Sequence, residues 1–329
     1  MSPQSSGFHS VLHADILAFL AHKRALGRKY ETEETSLRLL DRFLVKESIV
    51  ELEAVSSATI DRFLTSRPRP NPRSFNHLLG VVRSLFDWMV QQERISRSPV
   101  ETKQRRKTAA LNPFLFDDLQ IRHLLQLAAA LPNCRNVCLR GPTYHVIFTL
   151  LCGLGLRVGE ISRLCVADYD RDQNLLNIQN TKFAKSRLVP FGPKIDASLK
   201  QYLSLAERVR GPLQPRTPLF SFFGGHPINR HSIGRVFHEL LPALNLVIPN
   251  GSRSPRPHDL RHTFAVGTLL KWYRKGLDPS RRLLHLSTFL GHVQPASTAV
   301  YLTITEDLLR EAGERFERFA APVCSVVMS

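Results

Sequence analysis

The sequence predicts a mainly α-helical protein with a small β-sheet, arranged as two domains. Three observations carry that expectation. Apolar residues recur at three- and four-residue spacing over most of the chain; one β-rich stretch, "NLLNIQNTKFAKSRLVPFG", interrupts them; and residues 96–113, "SRSPVETKQRRKTAALNP", lose all periodicity between two helical regions. With 329 residues, 43% of them hydrophobic, the chain is long enough to bury two cores of ordinary size.

The first domain is expected over residues 8–95 as four helices. Leu12, Ile16, Phe19 and Leu20 mark the first, Leu37, Leu40 and Leu44 the second, and Ile60, Phe63 and Leu64 the third. In the fourth, Phe75, Leu78, Leu79, Val82, Leu85, Phe86 and Met89 follow an Asn71 cap and a Pro72 start. Residues 96–112 then read as a basic linker in which Lys103, Arg105, Arg106 and Lys107 crowd into five positions, free to follow a phosphate backbone. The second domain is expected over 113–321. Its helices are broken once by the β-rich stretch, which reads as a hairpin or as two strands of a small sheet.

Forty-five Lys and Arg against 28 Asp and Glu give a formal charge of +17, a field that attracts polyanions. The excess is spread along the chain: 18 basic and 12 acidic residues fall in 1–112, and 27 and 16 in 113–329. Nucleic acid is the first partner to consider, with a solvated basic surface that has no specific partner as the plain alternative. The five cysteines are odd in number and irregularly spaced, which speaks against a disulfide framework, and Cys134 and Cys138 have too few companions for a zinc site. The N-terminal "MSPQSSGFHS" lacks the layout of a signal peptide, and "VIFTLLCGLGL" is too short to cross a bilayer. A cytoplasmic protein is expected. No GxxxxGK[ST] phosphate loop occurs, so energy from a nucleotide is not indicated.

Two segments concentrate chemistry. In "GLGLRVGEISRL" one helix ends at Gly153 and Gly155 and another begins, placing Arg157 in its first turn with Glu160 on the same face and Val158, Ile161 and Cys165 on the buried one. An arginine there adds its donors to free backbone N–H groups and makes an anion site, with Glu160 able to hold the guanidinium; a surface salt bridge is the plain alternative. In "RPHDLRHTFA", Pro257 opens a helix that sets His258, Arg261 and His262 on one face, while Leu260 and Phe264 anchor the other. The two histidines could instead bind a metal, but the Glu of an HExxH motif is missing and no third ligand is suggested.

Arg157 with Glu160, the H-x-L-R-H run at 258–262, the Gly291-His292 pair and Tyr301 nine residues after His292 together resemble the tyrosine recombinase (phage integrase) family in order and spacing. "NTKFAKSRLVPFG" resembles the family's "GKGNKxRxVPL" segment, and its first lysine falls on Lys182. The resemblance implies a helical core-binding domain followed by an α+β catalytic domain, double-stranded DNA as substrate, no cofactor, and a homotetramer on two synapsed sites. It implies Tyr301 as nucleophile, Arg157 and Arg261 as clamps on the phosphate, His258 and His292 as further donors, Glu160 and His262 in support, and Lys182, with Lys185 as runner-up, as the acid for the leaving oxygen.

These roles fit the physical needs of the reaction. Breaking a phosphodiester without a metal requires a nucleophile, cations for the transition state and an acid for the departing oxygen. Exchange of one phosphodiester for another keeps the bond energy, so a missing nucleotide site is expected. The path from Arg261 to His292, "VGTLLKWYRKGLDPSRRLLHLSTFLGH", is longer and more basic than in compact Xer-type members. That suits the integrase or transposase of a mobile element, working with or without accessory proteins, and it equally suits a helix pair that only packs. The competing expectations are Xer-type resolution of chromosome or plasmid dimers, a relaxing topoisomerase, and a non-catalytic DNA-binding regulator of the same fold. In "TEDLLREAGERFERFAAP", Thr305 is expected to cap a last helix whose Phe316 and Phe319 dock on a neighbouring protomer or on their own domain.

Overall fold

The computed structural model describes residues 7–106, 111–135, 137–179, 186–222, 225–292, 296–299 and Tyr301. Lys107, Lys182, Lys185 and the segment carrying Thr305, Phe316 and Phe319 lie outside the described residues. The chain divides into two compact units between residues 110 and 111.

The first unit contains the four expected helices, α1 (His13–Ala25), α2 (Glu31–Lys46), α3 (Ser57–Thr65) and α4 (Pro72–Gln91). Every apolar residue that the periodicity singled out, from Leu12 to Met89, is buried in one core. Burial of each such side chain contributes about 1.5 to 3 kcal/mol, which outweighs the weak helix preference of the β-branched and aromatic members. The start of α4 is fixed as the sequence indicates: Pro72 is its first residue and the Asn71 side chain accepts from the Arg73 N–H at 2.9 Å. Buried Asp41 secures the entry to α1 by accepting from the N–H groups of His9 and Ser10 at 2.9 and 2.8 Å.

Residues 96–106 are not the free linker that the sequence suggested. Val100 is buried in the helical core, and Arg83 donates to the Thr102 carbonyl at 2.6 Å. The Asn76 amide pairs with both the N–H and the carbonyl of Arg105 at 2.8 Å. The Arg105 guanidinium lies 3.7 Å over the Phe75 ring and donates to the Arg69 carbonyl at 2.8 Å. Side chains of α4 thus satisfy an extended backbone, a pairing with no periodic trace in the sequence. Lys103 and Arg106 remain exposed.

The second unit is built around α6 (Arg140–Leu154), whose Val146, Ile147, Phe148, Leu150, Leu151 and Leu154 are all buried. Against it pack α5 (Asp118–Ala129), α8 (Pro193–Arg210) and α10 (Pro257–Arg274), with α9 (Arg230–Leu240) resting on α5 and α10. A one-turn helix α7 (Val158–Ile161) follows α6, and α11 (Pro279–Leu290) and α12 (Ala296–Ala299) close the described chain before Tyr301. The β-rich stretch supplies β2 (Leu175–Ile178) and β3 (Arg187–Pro190), and the two-residue β1 (Tyr169–Asp170) adds a third antiparallel strand in the order β1-β2-β3. Two residues are too short a run to leave a β signal in the sequence. Leu176, Ile178 and Val189 turn one face of this sheet into the core. Among the described residues no helix is long and apolar enough to cross a membrane.

The junction after α6 differs from the expectation in one respect. Arg157 is not inside a helix's first turn: its backbone is extended and it caps α7, which ends after four residues, so Cys165 opens a separate 3-10 turn. The longer path between Arg261 and His292 consists of the second half of α10, a turn at Gly276 and α11. Val266 and Leu269 pack there with Leu286, Leu290 and Tyr301.

Candidate active site

Four separate pieces of chain deliver the predicted side chains to one place. The bend between α6 and α7 brings Arg157, the first two turns of α10 bring His258, Arg261 and His262, the end of α11 brings His292, and Tyr301 follows α12. The last turn of α11 organises the cations. The carbonyls at a helix C-terminus lack intrahelical partners and sit at the negative end of its dipole. Here three consecutive carbonyls each receive an arginine: Phe289 from Arg187 Nε at 2.8 Å, Leu290 from Arg261 Nη2 at 2.6 Å and Gly291 from Arg157 Nη2 at 2.9 Å. Arg261 is fully buried, its Nη1 donates to the Gly155 carbonyl at 2.6 Å, and its buried Nε–H has no partner among the described residues. Burial and the nearby Arg157 charge push its pKa down to about 10, which leaves it a cation at neutral pH.

Glu160 holds two of these arginines. Its carboxylate accepts from Arg157 Nη1 at 2.7 Å and from the Arg157 backbone N–H at 2.9 Å, and it accepts end-on from Arg187 Nη1 and Nη2 at 2.8 and 3.0 Å. Burial alone would raise its pKa, but the hydrogen bonds and charges of Arg187 and Arg157 prevail and bring it to about 2. Arg187 is a member of the cluster that the sequence reading did not single out. A signal was present: residues two apart on a strand share a face, and Arg187 lies two before buried Val189. A charge on a core-facing position demands a partner, yet Leu188 beside it is equally apolar, so the face could not be chosen without the pairing register.

Tyr301 is 4% exposed and its hydroxyl lies 3.0 Å from His262 Nδ1. Burial raises its pKa, against the pull of the Arg261 charge and hydrogen bond and of Arg157. The hydroxyl is therefore protonated at rest, with cations at hand for the anion it would become. His292 stacks on Tyr301 at a centroid distance of 6.2 Å, and its Nδ1 lies 2.7 Å from the buried Thr298 hydroxyl, which leaves Nε2 for another partner. His258 meets His262 edge-on at 4.7 Å. Burial, together with Arg261 and Arg157 for His292 and with Arg253 and Arg261 for His262, lowers both pKa values to about 4. The arrangement offers a buried nucleophilic oxygen, two arginines and neutral imidazoles around one point, the equipment for phosphoryl transfer.

Residues 117–307 match the phage integrase family. The chain is 33% identical over 314 residues to the "Putative integrase/recombinase y4rB" of Sinorhizobium fredii, covering 94% of this chain and 98% of the relative. It is 27% identical over 241 residues to the tyrosine recombinase XerC of Pelobacter propionicus, covering 72% and 70%. Among solved structures, the Tn1549 transposon integrase in complex with transposon right end DNA superposes with a TM-score of 0.63 at 15% identity, over 93% of this chain and 99% of that one. Fold and site together define a DNA strand-transferring enzyme that works through a tyrosine. The chain belongs to the phage integrase family, and it is a site-specific DNA recombinase of the tyrosine type.

Proposed function

We propose that this recombinase integrates or transposes a mobile element, with Tyr301 as its nucleophile. The observation that carries the residue assignment is the Tyr301 hydroxyl, buried beside Arg261 and Arg157 of its own chain and 3.0 Å from His262. The Tyr301 oxygen attacks the scissile phosphorus, and the 5′ oxygen departs to leave a 3′-phosphotyrosyl bond; rejoining is the same step reversed. Arg157 and Arg261 bind the non-bridging oxygens, and the partnerless Arg261 Nε–H is a donor that a phosphate oxygen satisfies. Each such preorganised donor contributes about 3 to 4 kcal/mol of barrier lowering. His258 and the Nε2 of His292 add hydrogen bonds, Glu160 and Arg187 hold Arg157 in place, and Lys182 protonates the leaving oxygen, a role worth roughly 10² to 10⁴ in rate.

The first unit is the core-binding domain, and the basic cluster at its end serves the DNA backbone through Lys103, Arg106 and Lys107, with Arg105 held against Phe75. Four protomers act on two synapsed duplexes in the cytoplasm, as the family resemblance implies. The mobile-element reading is supported by the likeness to a transposon integrase; the similarity to XerC favours dimer resolution as the second reading. One experiment tests both levels. Covalent complexes are trapped on nicked suicide substrates and the bound sequence is mapped. The expected result is a covalent complex that Tyr301→Phe abolishes while half-site binding persists, formed at the ends of an element. A complex in the Tyr301→Phe variant moves the nucleophile elsewhere, and a single chromosomal or plasmid site favours dimer resolution.

A further inference from the structure

We propose that His262 is a further catalytic residue, whose Nδ1 takes the proton from the Tyr301 hydroxyl as that oxygen attacks, with the buried Asp259 carboxylate nearby to offset the charge that the imidazole gains. This rests on Tyr301 being the nucleophile. Among the histidines of the site, His262 is the one whose ring nitrogen lies at hydrogen-bond distance from the hydroxyl, at 3.0 Å. His292 spends its Nδ1 on Thr298 and stacks on the tyrosine ring. If the hydroxyl donates to Nδ1, the ring proton of neutral His262 sits on Nε2, and Nε2 lies 3.9 Å from Asp259 Oδ1. That separation is longer than a hydrogen bond, but it places a carboxylate where the imidazolium charge would form. Asp259 is fully buried one turn before His262 and is fixed by Arg253 Nη2 at 2.6 Å and by the Arg256 N–H at 2.9 Å.

The groups around the ring set its resting state. Burial first, and then the charges of Arg253, Arg261, Arg256 and His292, keep the imidazole neutral before DNA arrives, with His258 edge-on to it and the Asp259 carboxylate nearby, so its lone pair is available. An incoming phosphate brings the negative charge that favours the protonated ring. The step balances: the Tyr301 O–H proton passes to His262 Nδ1 as the tyrosine O–P bond forms and the P–O5′ bond breaks, and O5′ takes its proton from a separate acid. In rejoining, the 5′ hydroxyl gives its proton back to that acid as O5′ attacks phosphorus, the P–O bond to tyrosine breaks, and His262 returns its proton to the tyrosine oxygen.

The test is single-turnover cleavage of a 5′-bridging phosphorothiolate substrate, whose sulfur leaves without an acid and so isolates the nucleophile's proton. His262→Ala and the polar His262→Gln are compared with the wild type at matched half-site occupancy. The expected result is a slowing of about 10² to 10⁴, partial recovery of His262→Ala with added imidazole, and loss of the acidic limb of the wild-type rate profile. Asp259→Asn should move that limb to lower pH, which a purely structural role would not do. Cleavage within about twofold of wild type with the limb intact overturns the proposal, as does a loss that only follows lost half-site binding in both variants. Tyr301→Phe in the same assay keeps the two readings apart: a covalent complex in that variant overturns the nucleophile assignment, whereas unimpaired His262 variants beside an inert Tyr301→Phe overturn the proton relay alone.

Discussion

At the scale of single residues, the site depends on charges held away from their ordinary ionisation. Folding keeps His262 and His292 neutral, with pKa values about 4 against an ordinary 6.5, so the stability tied to their neutrality is fully present above pH 6.5 and is lost as pH falls toward 4. Glu160 adds a second, more acidic loss between about 4.5 and 2, where its paired carboxylate is protonated. The expected result is a melting temperature that falls by roughly 3 to 10 °C between pH 6.5 and 4, equivalent to roughly 1 to 3 kcal/mol, measured by calorimetry. His262→Gln with His292→Gln should flatten part of that limb, while His258, whose burial also lowers its pKa to about 4, keeps its own share. A second expectation concerns Arg187, whose loss leaves Glu160 to Arg157 alone and the Phe289 carbonyl without its donor. Arg187→Ala should cost roughly 3 to 5 kcal/mol of stability and slow cleavage more than it weakens binding; Arg187→Lys should recover only part, because the paired fork is lost. The Arg157–Glu160 pair was legible from its three-residue spacing. Arg187 was not, because its partners lie 27 and 102 positions away and meet it only through strand register and the end of α11.

At the scale of elements, the end of α11 explains why a glycine precedes His292. Gly291 has a φ of +68°, and a Cβ there would lie 2.8 Å from Arg187 Nη1, in the path of the guanidinium that holds Glu160. Gly155, at φ +58°, ends α6 in the same conformation, and a Cβ would lie 2.6 Å from the Phe264 ring. Gly291→Ala is expected to reduce covalent-complex formation strongly with modest loss of stability, since the flexible Arg187 end gives way and disturbs the cluster. Gly155→Ala is expected to lower the melting temperature more, because it meets core side chains, and to disturb the carbonyl that Arg261 uses. Melting curves and trapped-complex yields on the two variants check the contrast. The sequence marked Gly155 as a helix end through its position after an apolar run, and α4 and α10 were readable by period and by their Pro72 and Pro257 starts. The brevity of α7 was not, since Val158, Ile161 and Cys165 fit helical spacing and only packing ends the turn after Ile161.

At the scale of the whole molecule, the described residues form three hydrophobic clusters, one drawn from residues 8–100 and two from 114 onward, so each unit has what it needs to fold by itself. The composition revealed the two units, but the packing of residues 96–106 on α4 was invisible to it, because the contacts are made by Asn76, Arg83 and Phe75 from another element. That packing divides the basic cluster into residues with different work. All three are exposed, but Arg105 is occupied with Phe75 and the Arg69 carbonyl, which leaves Lys103 and Arg106 available to phosphates. Each phosphate contact releases condensed counterions on binding, which gives a log-log salt slope of roughly −0.9 per contact. Lys103→Ala with Arg106→Ala should therefore flatten the slope by about 1 to 2 and weaken binding to all sequences alike, while the melting temperature of the isolated first unit stays unchanged. Arg105→Ala should do the reverse, lowering that melting temperature by several degrees through the lost cation–π contact and hydrogen bond, with a smaller change in slope. Filter binding at a series of salt concentrations, paired with melts of residues 1–110, measures both. A slope indifferent to the double variant would mean that this stretch does not touch the backbone.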